Sequence, residues 1–350
     1  MTIDTTPFWT ICLTVFILST GLTILLKRFA PRLRLIDVAG HDARKLHTGK
    51  PALVGGIAIV ISSLAVLSLL NLIPHSLTFG LLAFLALGVY DDAKAIPALP
   101  KLSLQIIIIL IAVSALKLNI HDFGYLIDSE DYFQLSEWSI PITALCILVF
   151  VNAFNLIDGL DGFSGGIATI MFAFFTGISW SVSIIWLTYV FLILIAAVAG
   201  FLIFNMRSPL RQKASVFLGD GGSLSLGFSI AWGAITLNNE FIDYPNTLPP
   251  VLVYAFILAY PILDMLTVMS LRKLDGQSIF SPDNMHLHFL MSKTGLSNGK
   301  VCVVLLTLAT LYASLGVFAW QLGFSNIVML GLWFGLLGLH VLIYKALLKV

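Results

Sequence analysis

The sequence predicts an all-α, polytopic membrane protein, and three observations carry that prediction. Of its 350 residues, 59% are hydrophobic and 11% charged, with a mean hydropathy of +0.99; soluble domains carry roughly a quarter charged residues. Apolar runs of membrane-spanning length recur along the whole chain. Finally, 18 of the 19 lysines and arginines fall on alternate connections between those runs, the bias that marks a cytoplasmic face.

The runs place spans at 8–26, 53–72, 77–90, 102–117, 140–154, 165–181, 184–204, 221–237, 250–270, 301–320 and 326–347, about eleven transmembrane helices. The first run is about 19 residues long and follows an uncharged-to-acidic start, so it reads as a span rather than a cleaved signal. Eleven spans put the N-terminus outside and the C-terminus in the cytoplasm, with Lys117 the one basic residue on the outer side. Short connections and the absence of a fixed-period repeat predict one integral membrane domain over 1–350, with 271–300 as its longest cytoplasmic loop. Pro261 removes a backbone donor and should break the ninth helix, opening a lipid-facing groove toward the inner face. Cys12, Cys146 and Cys302 lie in separate apolar runs and read as packing residues. A net charge of +1 gives no field for nucleic acid.

Carboxylates at the membrane border are expensive and point to function. Five fall at inner span ends: Asp91 and Asp92 in Tyr90-Asp91-Asp92-Ala93-Lys94, Asp158 and Asp161 in the stretch 152–162, and Asp220 in Gly219-Asp220-Gly221-Gly222-Ser223. Asn155, Asp158 and Asp161 recur every third residue, which puts them on one side of a helix or tight turn. Asn155 and Asp220 are hard oxygen donors suited to Mg²⁺ shared with substrate phosphates, for which Mn²⁺ could substitute. Asp220 alone reads equally as a helix cap. The group of five, interleaved with glycines and asparagines, is poorly explained by capping. His286 and His288 are two residues apart, unlike a helical zinc pair, and suit phosphate contact or a plain interfacial role. Lys45, His47, Lys94, Lys101 and Arg272 add cationic groups on the same side. Asp264 could belong to the site or satisfy amides freed by Pro261.

Tyr-Asp-Asp-x-Lys at 90–94, Asn-Ala-Phe-Asn-Leu-Ile-Asp-Gly-Leu-Asp-Gly at 152–162, Gly-Asp-Gly-Gly-Ser at 219–223 and Ser-Pro-Asp-x-x-His-x-His at 281–288 resemble the polyprenyl-phosphate N-acetylaminosugar-1-phosphate transferases, the WecA/MraY-type family. The Ser-Pro-Asp element is similar to the WecA-like branch. Phe289 departs from that branch, which commonly has a further histidine there.

The resemblance implies transfer of a sugar-1-phosphate, GlcNAc-1-phosphate first, from a UDP-N-acetylaminosugar to undecaprenyl phosphate, releasing UMP. The product would initiate a surface polysaccharide such as O-antigen. GalNAc, FucNAc or QuiNAc donors remain alternatives. The implied setting is a bacterial inner membrane with the site on its cytoplasmic face, and the oligomeric state, monomer or homodimer, is left open. The implied roles are Mg²⁺ at Asn155 and Asp220, catalytic Asp91, Asp92, Asp158 and Asp161, and substrate contacts from Lys45, His47, Lys94, Lys101, Asn205, Arg272, His286 and His288. An ion-coupled secondary transporter is the rival class. It would place its acids near the midplane and would show an inverted repeat, and the sequence has neither feature.

Overall fold

The computed structural model describes residues 7–37, 49–125, 132–207, 211–240, 249–278 and 284–349. It is an almost wholly helical bundle. In chain order the elements are α1 (Phe8–Phe29), β1 (Ala52–Leu53), α2 (Gly55–Leu69), α3 (His75–Lys94), α4 (Ala98–Leu110), β2 (Asp122–Tyr125), β3 (Tyr132–Gln134), α5 (Ser139–Leu156), α6 (Phe163–Ser181) and α7 (Ile185–Asn205). There follow β4 (Val216–Phe217), α8 (Gly219–Asn239), α9 (Val251–Ile257), α10 (Ala259–Leu274), α11 (Leu287–Lys293), α12 (Asn298–Gln321) and α13 (Asn326–Leu347). Each of the eleven apolar runs becomes a helix or a helix pair. Residues 111–115 extend α4 as one π turn.

Among the described residues, eight helices are long and apolar enough to span a bilayer, and the α9/α10 pair makes nine if counted as one bent span. Two of the eleven expected spans, α2 and α8, fall outside that count for different reasons. Helix α2 is only 15 residues long. Helix α8 has 21 residues but is rich in Gly, Ser and Asn, and 18 of them are buried. Surrounded by α2, α3, α5 and α6, α8 meets protein instead of lipid and needs no apolar surface. Its small residues let those neighbours approach closely, as membrane helix packing favours.

The break in the ninth span falls at Leu258, three residues before Pro261, with a bend of 70°. Proline cannot donate to the carbonyl four residues back, which is that of Ile257, and its ring crowds the same carbonyl. Pro261 itself sits in the first turn of α10, where the missing donor costs nothing. Helix α11 and two small sheets were not evident in the apolar pattern. One sheet pairs β1 with β4 in parallel, Ala52 with Val216 and Leu53 with Phe217. It ties the starts of α2 and α8 together, aided by the Gly56 N–H donating to the Leu218 carbonyl at 2.9 Å.

Candidate active site

The N-terminus of α8 is the centre of the site, because α3 and the α5–α6 turn bring carboxylates to it. Asp220 lies in the first turn of α8. Asp91 and Asp92 lie in the last turn of α3, which packs directly on α8. That packing requires glycine: a Cβ on Gly88 would lie 2.2 Å from the Gly221 nitrogen, and one on Gly56 of α2 2.2 Å from the Gly222 Cα. Asp92 accepts the Asp220 N–H at 3.0 Å and the Gly221 N–H at 3.4 Å, so it caps the exposed donors of α8 from another helix. Asp91 accepts the Ile96 N–H at 2.6 Å.

Lys101, one turn into α4, bridges the two motifs. Its ammonium lies 2.6 Å from Asp91 Oδ2 and 2.5 Å from Asp220 Oδ2. Asn155, near the end of α5, donates to Asp220 Oδ1 at 3.0 Å and to Ser223 Oγ at 2.7 Å.

The turn between α5 and α6 carries Asp158 and Asp161. Gly162 takes φ +81° there, a left-handed value that suits glycine, and its N–H donates to Asn205 Oδ1 at 2.7 Å. Asn205 also donates to the Val216 carbonyl at 2.9 Å, so it staples the turn to β4 with both ends of its amide. Ser164 donates to Asp158 Oδ1 at 2.5 Å. Arg207 Nε donates to Asp161 Oδ2 at 2.7 Å, and the Ala214 N–H adds a bond at 3.2 Å. Burial pushes the Asp158 carboxyl up to about 7, and the negative charges of Asp220 and Asp161 add to that push.

These groups open into one cavity of roughly 410 Å³, lined by Asp92, Asp158, Asp161, Asn205, Arg207 and Asp220 together with Asp37, Phe289 and Asn298. Asp92, Asp158, Asp161 and Asp220 around one volume repel one another, an arrangement that a divalent cation and cationic side chains would relieve. The donors are hard oxygens, which suits Mg²⁺. Among the described residues no three His, Cys, Asp or Glu side chains converge as a ready-made metal cluster.

The sequence profile of glycosyl transferase family 4 matches residues 74–238, the segment that holds every carboxylate of this cavity except Asp37. That match covers 165 of the 350 residues, and over them the chain is similar to that family. It is 28% identical over 312 residues to the undecaprenyl-phosphate alpha-N-acetylglucosaminyl 1-phosphate transferase of Escherichia coli strain K12, covering 88% of this chain and 82% of that protein. It is 29% identical over 297 residues to the probable undecaprenyl-phosphate N-acetylglucosaminyl 1-phosphate transferase of Bacillus subtilis strain 168, covering 83% and 79%. The Yersinia pestis counterpart is 27% identical over 317 residues, covering 89% and 84%. The WecA/MraY-type resemblance drawn from the motifs is thereby borne out.

The motif residues are not all brought to the cavity. Asp92, Asp158, Asp161, Asn205 and Asp220 line the cavity, and Asp91, Lys101 and Asn155 brace it through Asp220 or its neighbours. Lys94 is exposed, its ammonium 5.1 Å over the Tyr90 ring and apart from the cavity lining. Arg272, His286 and His288 are buried and are also not among the lining residues. Lys45 and His47, with Ser281, Pro282 and Asp283, lie outside the described residues.

His288 packs under the α5–α6 turn, where a Cβ on Gly159 would meet its Nε2 at 2.2 Å. Burial lowers its imidazole to about 4, with His286 adding to the shift and Asp264 opposing it, so it is neutral near pH 7. Sequence reasoning missed Arg207, Asp37, Ser164 and Asn298. Only Arg207 carried a signal, as an inner-side cation two residues beyond Asn205.

Proposed function

We propose that this protein transfers N-acetylglucosamine-1-phosphate from UDP-N-acetylglucosamine to undecaprenyl phosphate, releasing UMP. One observation carries the reading: Asp92, Asp158, Asp161 and Asp220, drawn from three separated motifs, converge on a single cavity. The curated relatives bear names for this reaction. A phosphate oxygen of the carrier would attack the sugar-bearing phosphorus of the donor. The bond from that phosphorus to the UMP oxygen breaks, and UMP leaves with the electron pair. Mg²⁺, held by Asp220 with Asn155, would offset the negative charge of two approaching polyanions.

The chain's own groups do the rest. Asp91 and Asp92, on the same end of α3, receive the carrier phosphate and hold its proton. Lys101 supplies the compensating charge between them and Asp220. Asp158 and Asp161 orient the donor, and Arg207 is placed to pair with its phosphates. The one-sided lysine and arginine distribution supports a cytoplasmic site in a bacterial inner membrane. Phe289 lines the cavity where WecA-like enzymes commonly have histidine, which favours a second reading with UDP-GalNAc or a deoxy-amino sugar donor.

The test is UMP release from UDP-GlcNAc by purified protein supplied with undecaprenyl phosphate, with Mg²⁺ present or chelated. Lipid- and Mg²⁺-dependent release is expected, and Asp158→Ala or Asp220→Ala should abolish it in protein that remains folded. Release with another UDP-sugar alone would move the specificity. No release with any donor from folded protein would refute the reading.

A further inference from the structure

Helix α4 buries only Gln105 and Ile109 of its 13 residues. Gln105 is 1% exposed, and its Nε2 has no hydrogen-bond partner among the described residues. A carboxamide taken out of water with half its groups unbonded costs free energy. An apolar side chain would anchor a lipid-facing helix at less cost, so the amide calls for a reason other than packing. Its Oε1 supplies one. Asn152 of α5 donates to that oxygen at 2.8 Å, while the same Nδ2 donates to the Leu148 carbonyl of its own helix at 2.8 Å.

One turn along each helix stand the groups that hold Asp220. Lys101 precedes Gln105 by four residues and Asn155 follows Asn152 by three, so each pair shares a helix face. Lys101 meets Oδ2 of Asp220 at 2.5 Å and Asn155 meets Oδ1 at 3.0 Å. The carboxylate is thus clamped at both oxygens, from α4 and from α5, and its orientation depends on those helices standing level. The Gln105–Asn152 bond joins the same two faces one turn further from the site. In apolar surroundings a buried amide pair fixes helix register, because a slip would strand the Gln105 amide altogether.

We propose that Gln105 and Asn152 are positioning residues for the transfer: their bond sets the register of α4 on α5, and through it the placement of Lys101 against Asp91 and Asp220. Neither residue lines the cavity, and both act through Lys101. The catalytic consequence rests on the transferase reading above, whereas the placement of Lys101 does not.

Labelling of Lys101 by an amine-acetylating reagent, followed by mass spectrometry on the protein in detergent, reads that placement without any assay of turnover. Wild type, Gln105→Met, Asn152→Ala and the double variant would be compared, with the exposed Lys94 as internal reference. Methionine keeps the length of glutamine without its acceptor, so packing survives. Asn152→Ala removes the donor from the other helix and stays informative if Gln105→Met fails to fold. Wild-type Lys101 should react slowly, because its ammonium is paired with two carboxylates. Each single variant should raise its rate relative to Lys94 by about fivefold, the equivalent of one lost hydrogen bond. The double variant should match the singles within about twofold, since all three lack the same bond. With UDP-GlcNAc and undecaprenyl phosphate, kcat should fall by a similar factor while donor KM moves less than about twofold. Unchanged Lys101 labelling in a folded single variant would overturn the proposal, as would a double variant whose effect is the product of the singles. Unchanged kcat in a folded single variant would overturn it as well. An inactive wild type that still shows the labelling pattern would instead refute the transferase reading, so the two failures are distinguishable.

Discussion

The site depends on how closely α3 approaches α8, and Gly88→Ala tests that dependence directly. A Cβ at position 88 would lie 2.2 Å from the Gly221 nitrogen and 2.3 Å from the Asp220 carbonyl carbon. Ordinary contact begins near 3.4 Å, so the two helices must separate by about 1.2 Å at that level. The obstacle is backbone on both sides, and no rotamer can relieve it. Overpacking of this kind costs roughly 1–3 kcal/mol, which a bundle of this size survives. Catalysis is more sensitive, because Asp92 caps the same turn that carries Asp220, and a misplacement of about 1 Å costs on the order of a hundredfold in rate. The expected outcome is a folded protein with a lowered melting temperature and about one hundredth of wild-type UMP release. Gly331→Ala is the control, since nothing lies within 4 Å of a Cβ there. Wild-type turnover in Gly88→Ala, alongside an unperturbed control, would refute the claim that helix approach sets the carboxylate geometry.

Two further predictions concern single side chains. Arg207→Met leaves Asp161 with only the Ala214 N–H and should raise donor KM by about tenfold, while Arg207→Lys should recover part of that loss; equal activity in both variants would show that the pair does no work. His288 is held near a pKa of about 4 against an ordinary 6.5, so the unfolded chain binds the extra proton first as pH falls. Stability should therefore drop by about 2 kcal/mol between pH 7.5 and 5 and level off below 4, and a melting series in detergent should show a flatter profile for His288→Gln.

Much of this was legible because lipid imposes strict rules on sequence. A span needs a long apolar run, so all the bundle helices except α11 could be placed. A border carboxylate is rare enough that five of them marked the site. The rules fail where protein replaces lipid as the neighbour. Helix α8 is the most buried element and among the least apolar, because its Gly and Ser residues serve close packing instead of lipid contact. The same exchange hides Arg207 and Asp37, whose place in the cavity depends on the segments that follow α7 and α1.

Asp264 shows the limit most sharply. From sequence it was balanced between a site residue and a patch for amides freed by Pro261. In the fold it does neither of those jobs. It lies outside the cavity lining, and its partners are Tyr344, the Leu287 N–H and His286, all at least 22 positions away. No local pattern could announce such a group, because its meaning comes from two helices that meet only after the ninth span bends. A buried carboxylate in a membrane bundle must collect donors from wherever the fold supplies them. Here the donors come from the histidine motif and from Tyr344 of α13, which ties two separate helices to one buried carboxylate.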